Sequence, residues 1–362
     1  MTVTAPAAPQ VSEAEESGRT AQPRGGARYW IAATAALFVA VGAGLLIGPA
    51  GLPVHSVLLE LVSKLPFVHV HSGLSRTEQA ILWQIRMPRV VLGGLVGLML
   101  AAAGASYQGA FRNPLADPYL LGAAAGAGLG ATLMIVYASG ATRHGLDPVP
   151  LAAFVGAIAA VGVSYAVAYS TDRRAASATI LLAGIAVAAF FTAVQTYVQQ
   201  QHSDSLREVY AWILGRLNGA SWHDVILVLP YVVVASAVLL LFRRLLDVLR
   251  VGDQEATTLG VHAARTRLIV VGAATLGTAA VVAVSGLIGF VGIIVPHTVR
   301  LTAGSSYRRV LPLSMIVGAA FLIIADLISR TVAAPAEIPI GVVTAFFGAP
   351  FFIFVLRRRG RT

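Results

Sequence analysis

Residues 84–131 read QIRMPRVVLGGLVGLMLAAAGASYQGAFRNPLADPYLLGAAAGAGLGA. Two arginines, Arg86 and Arg89, stand at the mouth of the first apolar run. That run carries small residues every fourth position: Gly93, Gly97, Ala101, Ala105 and Gly109. Residues four apart share one face of a helix. A glycine and alanine stripe lets a second backbone approach closely, which is how helices pack where lipid removes the hydrophobic drive between them. The next run repeats the device with Gly122, Gly126 and Gly130. Between the two, Asn113-Pro114 and Asp117-Pro118 break the chain, because proline disfavours helix in the residue before it. The stretch therefore predicts two closely packed membrane helices joined by a tight turn, with a charged lip. Ordinary helix packing explains the glycines and leaves the two arginines unexplained.

Composition points to the same class. Hydrophobic residues make up 57% of the 362, and charged residues 12%. A soluble domain carries roughly 25% charged residues. The mean hydropathy is +0.78. Apolar runs of about 20 residues recur, each long enough to cross a bilayer. The chain reads as an all-α polytopic membrane protein. It has no cysteine, so disulfides, thiol catalysis and cysteine metal sites are excluded. The net charge of +10 is almost all arginine, Lys64 being the sole lysine. In a membrane protein such an excess reports orientation before it reports a nucleic-acid partner.

Residues 1–28 are rich in Ala, Pro, Gly, Ser and Glu without apolar periodicity, the signature of a disordered tail; residues 29–362 form the membrane domain. Ten helices are expected at about 30–50, 90–110, 119–138, 149–170, 178–199, 225–242, 268–286, 287–303, 310–329 and 339–356. Residues 51–85, with His55, His69 and His71, form the longest outer loop, and 243–267 is a polar inner segment rich in arginine. An even helix count puts both termini on one side. With that side cytoplasmic, the inner segments hold Arg112, Arg173, Arg174, the 243–267 cluster, Arg308, Arg309 and the arginine tail, as the positive-inside rule asks. Arg86, Arg89 and Arg330 then lie outside, against the trend. They either have a task there or anchor helix ends by snorkelling.

Enzymatic and ion-coupled alternatives find little support. No Gly-x-x-x-x-Gly-Lys-Ser/Thr run occurs, so no ATP is bound through a P-loop. No His-Glu-x-x-His run occurs either. A proton- or sodium-driven secondary transporter needs ionisable residues and broken helices near the midplane, and the helix centres hold almost no acid, histidine or lysine. His69 and His71 share a face only on an extended chain, and Pro296-His297 is read as packing. Asp326 and Arg330 are four apart on one helix and suited to pair. Glu337 sits between Pro335 and Pro339 at an outer turn.

The ordered set Arg-Met-Pro-Arg (86–89), Asn-Pro-Leu-Ala-Asp-Pro (113–118), Leu-Leu-Ala-Gly (181–184), Trp-Ile-Leu-Gly (212–215), Leu-Gly-Val (259–261), Gly-Leu-Ile-Gly-Phe-Val-Gly-Ile-Ile-Val-Pro-His (286–297), Ala-Asp-Leu-Ile-Ser-Arg (325–330) and Glu-Ile-Pro-Ile-Gly-Val-Val-Thr (337–344) resembles the FecCD-type permeases. These are membrane subunits of ABC importers for ferric siderophores, haem and cobalamin. The resemblance implies the type II ABC importer architecture in the bacterial cytoplasmic membrane. It implies two permease subunits, identical or paralogous, around a shared pathway. Two ATPase subunits would dock inside, carrying the ATP and Mg, and a substrate-binding lipoprotein would dock outside. The chain itself would be no enzyme and would hold no cofactor and no metal.

The resemblance also assigns residues. Arg86, Arg89 and Arg330 match positions that grip glutamates of the binding protein, a pairing to which the guanidinium fork is suited. Gly252, Asp253, Glu255, Ala256, Leu259 and Gly260 fall where two short coupling helices fit the ATPase; Asp253 stands where glutamate is usual. Ser177 and Ala178 match a cytoplasmic gate of small residues, although Ser177 would equally serve as a helix cap. Cargo is expected to be iron-bearing, haem or a ferric siderophore, with cobalamin as the alternative.

Overall fold

The computed structural model describes residues 26–64, 70–138, 147–171 and 177–359. Most of the N-terminal tail, His69, Arg173 and Arg174 lie outside the described residues. The helices run α1 Gly26–Leu46, α2 Val54–Ser63, α3 Arg76–Ala110, α4 Ala123–Tyr137, α5 Val149–Thr171, α6 Ser177–Gln201, α7 Leu206–Ile213, α8 Trp222–Leu249, α9 Asp253–Thr258, α10 Ala263–Ser285, α11 Val291–Ala303, α12 Tyr307–Thr331 and α13 Ile340–Arg359. Seven of the described helices (α1, α3, α5, α6, α8, α10 and α12) are long and apolar enough to cross a membrane. Three shorter apolar helices, α4, α11 and the apolar part of α13, fall where the other expected spans were placed.

Helix α3 is the axis, packing against α8, α10, α11 and α12. The small-residue stripe is what lets it. A side chain at Gly97 would collide with the Gly318 carbonyl of α12, and one at Gly104 with Gly292 at the start of α11. The second stripe works likewise, with Gly126 and Gly130 of α4 pressed on Gly156 and Ala152 of α5.

Local signals explain the helix starts. Ser75 caps α3 and Ser221 caps α8, each in a reciprocal box with the acid three residues on, Glu78 and Asp224. Helix α8 runs seven residues past the expected end. Arg243 and Arg244 stop the hydropathy but not the helix, since arginine and leucine are good helix formers; Gly252, at φ +131°, ends the turn that follows. Helix α11 starts at Val291, four residues later than expected. Residues 286–290 are non-helical, and their polar groups are met by protein. Tyr119 Oη donates to Ile288 O at 3.1 Å and accepts from Ile288 N at 3.3 Å, and Ser285 Oγ donates to Gly286 O at 3.1 Å. Irregular backbone at membrane depth is tolerated only where protein covers it.

The contacts sort the connections into two ends. One end holds α2, the start of α3, α7 and residues 332–339; the other holds 111–122, α9 and 304–306. At the first end α2 is pinned by Glu60, which is buried and accepts from Trp83 Nε1 at 3.1 Å, with Lys64 at 3.7 Å. The Ser72 hydroxyl is the main cause holding the Glu60 carboxyl below its usual range, against burial, which raises it. A depressed pKa means a contribution present above the unfolded value near 4.5 and lost as pH falls through the folded one. Glu60→Ala should cost on the order of 1–3 kcal/mol locally, because it orphans the indole N–H. Hydrogen exchange over residues 54–63 reads this at pH 7, and wild type and variant should converge in acid.

Candidate functional site

The expected site residues fall into two groups, one at each end. At the first end Arg86, Arg89 and Arg330 come together, as the sequence pattern suggested, but they are buried. Their exposures are 3%, 6% and 3%. Arg89 donates from Nε to both oxygens of Asp326 at 2.9 and 3.1 Å, and from Nη2 to Oδ1 at 2.8 Å. It also grips Glu337, Nη1 to Oε1 at 2.8 Å and Nη2 to Oε2 at 3.0 Å. Arg330 Nε lies 3.6 Å from Asp326 Oδ2, the pair expected from their spacing.

Arg86 and Arg330 have a further job. Arg86 Nη1 donates to the carbonyls of Leu45 at 2.8 Å and Leu46 at 3.1 Å, and Nη2 to that of Ala50. Arg330 Nη2 donates to Gly44 O at 2.5 Å. The Gly44, Leu45 and Leu46 carbonyls are the orphan acceptors at the C-terminus of α1, where the helix dipole is negative, and Ala50 lies in the loop that follows. A π-helical turn, Ile81–Arg86, leads into this stretch.

Each of the three guanidinium groups thus already has an internal partner in this chain. These three charges are buried among protein groups. Glu337 is the accessible member, its side chain 32% exposed. No feature of the sequence showed that Glu337 would share Arg89 with Asp326.

At the second end, the 243–267 segment is mostly helical. Helix α8 takes 243–249 and α10 starts at Ala263, which leaves one short helix, α9, in place of two. Gly252 and Ala256 are buried, and Asp253 is half-buried. Asp253 accepts from Arg267 Nη2 at 2.9 Å on both oxygens and lies 3.5 Å from Arg112. Ala256 is fully buried, and Gly260, at φ +78°, turns the chain after α9. Glu255, Leu259 and Gly260 face outward, Leu259 being 65% exposed. The six residues thus divide into three that hold α9 to the body and three that it presents. The gate pair sits at the start of α6, where Ala178 is exposed; the Ser177 side chain lies outside the described residues. His297 packs edge-on against Phe351. Among the described residues no cluster of metal-ligating side chains occurs.

The profile of the FecCD transport family matches residues 36–358. The chain belongs to the FecCD transport family. It is similar to the cobalamin import system permease protein BtuC of Halobacterium salinarum, at 43% identity over 85% of this chain and 80% of the relative. It is similar to the hemin transport system permease protein HmuU of Yersinia pestis, at 39% identity over 76% and 82%. The Fe(3+) dicitrate transport system permease protein FecC of Escherichia coli is 36% identical over 78% and 84%. Among solved structures, one described as an inward-facing conformation of a metal-chelate type ABC transporter superposes with a TM-score of 0.78. It is 26% identical and covers 92% of this chain and 99% of that one.

This FecCD protein is thus a multi-pass membrane permease of the ABC importer class and not a catalytic enzyme. Its relatives are named for cobalamin, hemin and iron citrate, so the family sets the transport class and not the cargo. ATPase and substrate-binding partners and a second permease subunit follow from the class.

Proposed function

We propose that this chain is the membrane subunit of an importer that passes an iron-bearing chelate, haem or a ferric siderophore, from an outer binding protein to the cytoplasm. The relatives named for hemin and iron citrate support that cargo. Cobalamin is the second reading, favoured by the 43% identity to the haloarchaeal relative. In this reading ten helices cross the membrane, both termini are cytoplasmic, and the end with α9 faces inward. The arginines at that end, Arg112, Arg243, Arg244, Arg250, Arg265, Arg267, Arg300, Arg308 and Arg309, support the orientation.

Two copies of this chain would enclose the pathway. The exposed face of α6 supports this. Thr192, Thr196 and Gln200 recur there at four-residue spacing on an apolar helix, a stripe better suited to a second subunit or a wet pathway than to lipid. At the outer face a glutamate of the binding protein would reach Arg89 by taking the place of the partly exposed Glu337. Exchange of one carboxylate for another costs little net charge–charge energy and suits a partner that leaves each cycle. ATP and Mg belong to the two ATPase subunits, and Ser177 and Ala178 narrow the inner mouth.

The observation that carries this reading is α9, a short helix held inward by Asp253 and Ala256 that presents Leu259 and Gly260. Leu259→Asp with Gly260→Asp should leave the protein inserted and abolish stimulation of ATP hydrolysis by cargo-loaded binding protein. Unchanged stimulation and uptake would overturn the coupling role. Visible spectra of what co-purifies with the binding protein decide between haem, ferric siderophore and cobalamin.

A further inference from the structure

A cavity of about 270 Å³ opens beside α9, lined by Gln108, Arg112, Pro114, Arg250, Arg300 and Tyr307. A water takes about 30 Å³ of liquid volume, so a phosphate ester fits. We infer that this cavity binds a phosphate-bearing anion through Arg112, Arg250 and Arg300.

The charge balance is the first ground. Arg300 donates from Nη1 to Gln108 Oε1 and from Nη2 to Tyr307 Oη at 3.1 Å. It has no carboxylate at ion-pair distance among the described residues. Arg250 donates to Ser305 O at 2.9 Å and reaches Asp247 at 3.9 Å. Asp247 is already taken by Ser306 Oγ and Tyr307 N, both at 2.8 Å. Asp253, the acid near Arg112, is held on both oxygens by Arg267. Four guanidinium groups, 112, 250, 267 and 300, therefore meet two carboxylates. The half charge at the C-terminus of α11 does not cancel the remaining two.

Preorganisation is the second ground. Arg112 is a non-glycine residue at φ +51°, an uncommon conformation that is worth a functional question when observed. Gln108 is fixed by donating Nε2 to Gly292 O at 3.0 Å, which turns its oxygen to Arg300. Guanidinium forks match phosphate oxygens in pairs.

The sequence neighbours of the lining residues are the third ground. Leu115, Val251 and Leu301 adjoin the lining residues in sequence and are exposed. A basic cavity at a helix-bundle end whose lining residues have exposed apolar neighbours in sequence suits an anionic lipid headgroup. A free phosphate or phosphate ester shares the chemistry and is the other source. The leaflet assigned to such a lipid rests on the orientation proposed above; the binding itself does not.

The test uses the full-length permease, delipidated in detergent, with native mass spectrometry and thermal melting as readouts. Phosphatidylglycerol should be retained over phosphatidylcholine. Arg112→Gln with Arg250→Gln should weaken retention by roughly five-fold per arginine, the factor matching the ~1 kcal/mol each basic residue contributes beside an anionic leaflet. Both residues are surface-exposed, so folding is spared; Arg300→Gln is the partly buried third variant. Arg76→Gln, at the opposite end, should change nothing. Stabilisation by inorganic phosphate alone, lost in the same double variant, would keep the site and assign it to a soluble anion. Equal retention of both lipids with no phosphate effect overturns the inference. So does an effect of the double variant confined to ATPase co-purification, which would make the pocket part of the ATPase contact. Failure of the coupling variants leaves this measurement unaffected.

Discussion

Arg89→Met is expected to destabilise the permease by about 3–5 kcal/mol, the usual penalty for removing one partner of a buried ion pair. Asp326 is only 2% exposed, and three of its hydrogen bonds come from Arg89. Without them the carboxylate stays in a low-dielectric interior with Arg330 Nε at 3.6 Å as the remaining cation. Glu337 loses both of its bonds and frees the 332–339 turn. Thermal melting in detergent should show the loss, together with lower yield in the membrane. Pairing Arg89→Met with Asp326→Leu should recover much of it, because replacing both partners by apolar groups is often close to neutral. Arg89→Lys should retain part, since an ammonium cannot hold two carboxylates as a planar fork does. A purely superficial docking arginine would behave differently. Binding-protein affinity would fall while the melting temperature stayed at the wild-type value, and that outcome would refute the internal network.

Gly104→Val carries the second large effect. The Gly104 and Gly292 backbones touch, so a Cβ meets a carbonyl and no flexible side chain can yield. Overpacking costs typically about 1–3 kcal/mol and more where nothing gives; this contact belongs at the upper end. Moving α11 away would also break the Gln108 bond to Gly292 O at 3.0 Å and disturb the Tyr119 contact with Ile288. Melting of the purified variant and its yield are the measurements. Gly162→Ala is the control. It lies within α5 with no atom within 4 Å of where a Cβ would sit, and alanine there should be neutral or stabilising by up to ~1 kcal/mol. Equal losses at both positions would show that the Gly104–Gly292 backbone contact does not set the sensitivity.

The two predictions differ in how far each was foreseeable. The stripe containing Gly97, Ala101 and Gly109 was legible because four-residue spacing is a local property, and its consequence, close approach of another helix, follows whichever helix arrives. That the arriving helices are α12 and α11 was not. Helix positions were legible for the same reason, since each span must be apolar along its own length. The boundaries of α8 and α10 were misjudged where charged residues continued a helix beyond the apolar zone. The non-helical stretch 286–290 was hidden as well, because its residues are as apolar as those of a helix. The Tyr119 hydroxyl, which pairs with both backbone groups of Ile288 from 169 positions away, helps make it possible.

The sequence alone determined that this chain is a polytopic helical membrane protein and, through its ordered motifs, its family. Lipid imposes those constraints residue by residue, so they can be read without knowing any neighbour. The tertiary structure decided what the charges do. Arg89 and Asp326 are 237 positions apart, and hydropathy says nothing about which distant carboxylate a guanidinium will meet. Burial and pairing are properties of two segments together, and they place Arg86, Arg89 and Arg330 in a network that ties α1, α3, α12 and the 332–339 turn to one another.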